Sequence, residues 1–156
     1  MDRPPLGGLW LVKLPVRDLT RSLAWYRQVF AVVPEMEFRD EHRVVQGVTC
    51  SLPGIADTGI ALRQDPQAAQ GYAGFDPVAW HVADLPALEQ WADFLDQLAI
   101  AHSPVIVGTE GWLMIFRDPD DIGHHIYTRS THGLDPSDRP GAGRRLTSQD
   151  GDPVPQ

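Results

Sequence analysis

Val16-Arg-Asp-Leu19 and Val82-Ala-Asp-Leu85 are one phrase written twice, at an offset of 82 − 16 = 66 residues. Each copy follows a short apolar run, Leu9 to Val16 and Val78 to Val82, and each opens a segment with helical apolar spacing. Trp25 and Trp91 match at the same offset. Self-similarity at a fixed period is the mark of one supersecondary unit used more than once, so the repeat decides the fold before any single element does.

Leu9 to Val16, rich in Leu and Val, reads as a strand with a buried face. Asp18 stands where an N-cap accepts from free amides, and Leu19, Leu23, Tyr26 and Phe30 recur at helical spacing. Pro34 is expected to stop that helix, and Met36 to Phe38, Arg43 to Leu52 and Gly59 to Arg63 read as three strands. Asp65 to Gly74 has the composition of a turn and linker. Val78 to Val82 then repeats the strand, and Asp84 with Pro86 marks a helix start whose apolar stripe is Leu88, Trp91, Leu95 and Leu98. Val105 to Val107, Trp112 to Arg117 and His124 to Thr128 supply three more strands. The pattern predicts an α+β chain of two βαβββ modules, residues 9–64 and 76–129, within one domain spanning 1–129. Gly, Pro, Asp, Ser and Arg dominate 130–156, which is expected to be a mobile C-terminal tail.

Composition narrows the partners. A formal charge of −8 over 156 residues argues against nucleic acid and anionic membrane, both of which reward a basic face. Cys50 is the single cysteine, which excludes an intrachain disulfide and a cysteine-clustered zinc site and suits a reducing compartment. The first residues lack a long apolar stretch, and no apolar run approaches the ~18 residues of a membrane span, so a cytoplasmic protein is expected.

Lys13-Leu-Pro-Val-Arg-Asp-Leu19, Ser22-Leu-Ala-Trp-Tyr26 and Phe116-Arg-Asp-Pro-Asp120, in this order around a doubled module, resemble the vicinal oxygen chelate superfamily. That superfamily includes glyoxalases, extradiol dioxygenases, fosfomycin-modifying enzymes and bleomycin-resistance proteins. The resemblance covers about residues 9 to 129. It implies an open, cup-shaped mixed sheet with helices on the convex side, a homodimer, and a site on the concave face. In metal-dependent members it also implies ligands at positions that here hold Leu11, Pro77, Ala61 and His125. Leu, Pro and Ala offer a divalent cation no side-chain lone pair, and a catalytic metal needs about three protein ligands. No metal and no other cofactor is expected.

Side chains two apart along a strand share a face, so the register that the resemblance implies carries Lys13, Arg63, Ala79, His81 and Tyr127 into the cup beside Leu11, Ala61 and His125. Lys13, the sole lysine, either snorkels at a strand edge or presents a cation to an anionic or carbonyl-bearing ligand. His81 is either a satisfied core histidine or a catalyst. His125 can contact ligand or exchange protons, since imidazole titrates near neutrality. Trp112, Met114 and Phe116 share one parity, as a core row under the helices or as an apolar wall of the cup. Asp118-Pro-Asp-Asp121 reads chiefly as a turn, and Thr109-Glu-Gly111 as a hairpin.

Two functions compete. One is a metal-independent binding protein, resembling the antibiotic-resistance branch, that sequesters or carries a bulky, partly aromatic metabolite of natural-product type. The other is a metal-independent isomerase, cyclase or lyase in which His81, His125 and Lys13 perform acid–base chemistry.

Overall fold

Six residues of alternating burial, Leu11–Val16 (β1), begin the ordered architecture. The computed structural model describes residues 4–135, 138–141 and 143, so most of the tail expected at 130–156 lies outside the described residues. After β1 come Leu19–Phe30 (α1), Val33–Arg39 (β2), Val45–Leu52 (β3) and Ile55–Gln64 (β4). Pro66–Tyr72 (α2) leads into Val78–Val82 (β5), Leu85–Gln97 (α3), Ile106–Val107 (β6), Trp112–Arg117 (β7) and Gly123–Thr128 (β8). The strands form two open four-stranded mixed sheets, ordered β1-β4-β3-β2 and β5-β8-β7-β6, so the second repeats the topology of the first. The α+β class and the doubled βαβββ plan are therefore observed.

Two expectations need correction. Asp65 to Gly74 is no plain linker: Asp65 accepts from the Ala68 amide at 3.0 Å and Pro66 takes the first turn, which nucleates α2. The same Asp-then-Pro signal correctly marked α3, where Asp84 accepts from the Ala87 amide at 3.0 Å. Nor does Pro34 stop α1, because Pro34 already lies inside β2. The helix ends at Ala31, whose left-handed φ of 53° turns the chain out. Ala99 performs the same turn after α3 with φ 55°. There the Ile100 amide reaches the Leu95 carbonyl at 2.9 Å and the Ala99 amide the Asp96 carbonyl at 2.9 Å, a Schellman closure.

Backbone proximity divides the chain into two compact units, Met1–Ala79 with Ile115–His125, and Trp80–Met114 with Ile126–Gln156. In the first, the inner face of the sheet presents Leu14, Val16, Val48, Cys50, Ile60 and Leu62, all nearly inaccessible, against α1. Trp25 and Phe30 of α1 lie beside Phe116, at ring-centroid distances of 6.2 and 6.0 Å. In the second unit α3 buries Leu88 and Leu95 completely. Among the described residues, no helix is long and apolar enough to cross a membrane.

Candidate functional site

The face of the first sheet turned away from α1 is built row by row from its register. Lys13 pairs with Ala61, Ala61 with Thr49, and Thr49 with Met36, so these four side chains share one face. The next row is Pro15, Arg63, Gly47 and Phe38, and on the other side Leu11 pairs with Gly59 and Gly59 with Ser51. Strands β3 and β4 thus contribute only Gly, Ala, Thr and Ser over most of this face, with Leu11 and Lys13 on one flank and Met36 and Phe38 on the other. Met36 is 55% and Phe38 50% exposed. The result is a shallow trough floored by small side chains. Leu11, Lys13, Ala61 and Arg63 are all brought to it.

In the second sheet, Ala79 and His81 are exposed on β5, alternating with the less accessible Val78, Trp80 and Val82. On β8 the two adjacent histidines are unlike: His124 is inaccessible, whereas the His125 side chain keeps 19% exposure and its Nε2 lies 3.3 Å from Oδ2 of Asp76. Tyr127 follows on the His125 parity and is 39% exposed. Met114 and Phe116 are 0% and 2% exposed, so this pair packs in the core and does not form a wall of the open face. Phe116 stacks on His124 at 5.4 Å, while Trp112 meets His132 edge to face at 5.5 Å. The open parity of β7 belongs to Leu113 and Ile115, since Leu113 pairs with exposed Ile106.

A cavity of about 790 Å³ opens in the second unit between Ile106, Leu113 and Tyr127 on one side and Arg139, Pro140 and Gly141 on the other. The Gly143 amide donates to Thr109 Oγ1 at 3.0 Å and holds that C-terminal stretch against the hairpin. Only Tyr127 among these residues was anticipated, because periodicity reports strands and not where an irregular segment returns.

Sequence reasoning also missed a buried polar cluster under α1. Tyr26 Oη donates to Asp118 Oδ2 at 2.9 Å and lies 3.1 Å from His124 Nε2. A phenol has one proton, so with that proton on Asp118 the imidazole must donate, which assigns His124 as the Nε2–H tautomer. Burial, with a smaller contribution from His125, pushes the His124 pKa down to about 3. Burial raises Asp118 despite its backbone donors, and burial together with the Asp118 carboxylate raises Tyr26. Asp118 Oδ1 accepts the amides of Asp120 and Ile122 at 2.8 and 2.9 Å, closing the turn. Asp120 accepts from Ser22 Oγ and Arg21 Nη2, each at 2.9 Å, and from the Arg17 amide at 3.1 Å. These acids hold the β7–β8 turn to the start of α1, a structural duty.

Among the described residues, no group of three His, Cys, Asp or Glu side chains comes together to hold a metal ion. Leu11 and Ala61 on the trough have nothing to donate, and His125 lies 3.3 Å from the Asp76 carboxylate. The residues present therefore do not fit the metal set that such a sheet holds in metal-dependent proteins.

An α+β chain of paired βαβββ modules, with an open sheet face floored by small side chains, is the class that fold and site define. It is the vicinal oxygen chelate fold. A glyoxylase/bleomycin resistance protein/dioxygenase domain from Frankia sp. EAN1pec superposes with TM-score 0.59 at 23% identity, over 80% of this chain and 98% of that one. TnmS3, an antibiotic binding protein from Streptomyces sp. CB03234, gives 0.66 at 17%, over 82% and 100%. The fosfomycin resistance protein FosX from Listeria monocytogenes gives 0.61 at 15%, over 81% and 96%. No protein-family model matches the chain, and no curated protein does.

Proposed function

We propose that this protein binds a small molecule without a metal, sequestering or carrying a bulky, partly aromatic metabolite on its open sheet face. The observation that carries this reading is the trough of the first sheet, where Gly47, Gly59, Ala61, Thr49 and Ser51 leave room and Met36 and Phe38 offer apolar surface. Concave apolar surface with a few polar groups is what holds flat organic ligands. Likeness of fold to an antibiotic binding protein supports the same reading. The reading places a homodimer in the cytoplasm, serving antibiotic tolerance or natural-product metabolism. Incubation with polycyclic aromatic metabolites should return the bound compound unchanged by mass spectrometry, with well below one equivalent of transition metal by elemental analysis. Conversion beyond stoichiometry, or a full equivalent of metal, overturns it.

The 3.3 Å approach of Asp76 to His125 favours a second reading, a metal-independent isomerase, cyclase or lyase. A carboxylate beside an imidazole orients the ring for proton transfer, with His81 and Lys13 as further acid–base groups. If turnover is found, His125→Ala should lower kcat at least tenfold, about 1.4 kcal/mol in barrier. Unchanged turnover removes His125 from the mechanism.

A further inference from the structure

The trough of the first sheet carries two cations, and among the described residues no carboxylate forms an ion pair with either. Lys13 pairs with Ala61, and Arg63 lies two residues further along the neighbouring strand, which puts the two Cα atoms about 8 Å apart on the same face from ordinary sheet spacings. Both side chains are exposed, and neither makes an ion pair or a side-chain hydrogen bond among the described residues. Four other exposed arginines are held in ion pairs. Arg17 and Arg21 pair with Asp120, Arg39 with Glu37 and Arg117 with Asp121. A lysine on the edge strand β1 has a bland explanation, since edge charges discourage pairing with another sheet. That explanation does not extend to Arg63, which stands on the interior strand β4 between Pro15 and Gly47. Like charges adjacent on a sheet face destabilise it unless something of opposite charge lies between them. In a chain of net charge −8 carboxylates are plentiful, yet none of the described ones pairs with Lys13 or Arg63.

We infer that the ligand is an organic oxyanion whose charged group seats between Lys13 and Arg63 while its flat apolar body lies across the small side chains toward Met36 and Phe38. The inference rests on the proposed binding function and adds the chemical class of its ligand. A guanidinium offers an oxyanion a planar fork of donors, and the lysine ammonium supplies a second, mobile point charge. The glycines, Ala61 and Thr49 let a ring approach the strands closely.

Paired fluorescent probes of nearly the same arene test it: 8-anilinonaphthalene-1-sulfonate, which is anionic, and N-phenyl-1-naphthylamine, which is neutral. The wild-type protein should bind the sulfonate at least tenfold more tightly, with a preference that shrinks as salt is raised. The double variant Lys13→Gln, Arg63→Gln should lose that preference and keep its affinity for the neutral probe within about twofold, which also reports that the face is intact. Equal affinities in the wild type, or a preference that survives both substitutions, overturns the oxyanion and leaves the binding function standing. Failure of both probes to bind overturns the binding function and the oxyanion with it.

Discussion

Asp120→Ala is expected to lower the unfolding free energy by about 3–5 kcal/mol, the range for removing one partner from a buried charged network. Asp120 has no accessible surface, and the two groups most dependent on it are Ser22, equally inaccessible, and the backbone amide of Arg17. Alanine leaves the Ser22 hydroxyl without this acceptor where water does not reach, at about 1–3 kcal/mol, and removes the acceptor of the part-buried Arg17 amide as well. The arginine side chains matter less. Those of Arg17 and Arg21 are 42% and 48% exposed, so they return to water, and Arg21→Ala alone should cost about 1 kcal/mol or less. Asp120→Asn keeps an acceptor oxygen and should fall between the two. Guanidinium unfolding checks the series, with the midpoint dropping and the slope unchanged. A loss under 1 kcal/mol for Asp120→Ala would show that the start of α1 is held to the turn by packing alone.

What the sequence showed of this molecule and what it hid follow from the range of the interactions involved. The repeat at Val16 and Val82 made both modules legible, because strand alternation and helical stripes are local patterns. The Asp-Pro start of α2 was equally local, and a short helix was hidden only by its Pro, Gln and Gly composition. Lys13, Ala61 and Arg63 could be placed on one face because a parallel pair of unbulged strands preserves parity. The acids of Asp118-Pro-Asp-Asp121 could be read as a turn, but not as anchors. Their partners Ser22 and Tyr26 lie 98 and 92 residues away, and no spacing rule spans that distance. Asp76 beside His125 was invisible for the same reason. One signal was available for Met114 and Phe116. They alternate with Leu113 and Ile115, so both faces of β7 are apolar, and only the aromatic face of α1, with Trp25, Tyr26 and Phe30, marked which would be covered.

Acidification should destabilise the protein well before its carboxylates protonate, and His124 is the cause. Its imidazole is neutral in the folded protein down to about pH 3, because burial among Tyr26, Phe30 and Phe116 disfavours the cation. In the unfolded chain it takes a proton near the ordinary value of about 6.5. A depressed folded pKa gives stability that is complete above pH 6.5 and is lost progressively as pH falls toward 3. The full loss is on the order of 5 kcal/mol, a large share of the 5–15 kcal/mol that holds a typical domain folded. Asp118 acts in the opposite sense. Its carboxyl is raised by burial, so the folded state takes that proton first, and stability is regained as pH falls through the region above 3.8. The two effects have opposite signs, and a variant lacking the imidazole isolates the histidine's share. Between pH 6 and 5 the His124 contribution should approach one proton taken up per molecule unfolded, or about 1.4 kcal/mol per pH unit. His124→Phe removes the titrating group and keeps a ring against Phe116, and Tyr26 retains its bond to Asp118. Whatever its stability at pH 7, that variant should lose this part of the slope in urea unfolding at pH 7, 6 and 5. Equal slopes for variant and wild type would mean that the folded protein admits the imidazolium, by opening the contact of α1 with Phe116 and His124.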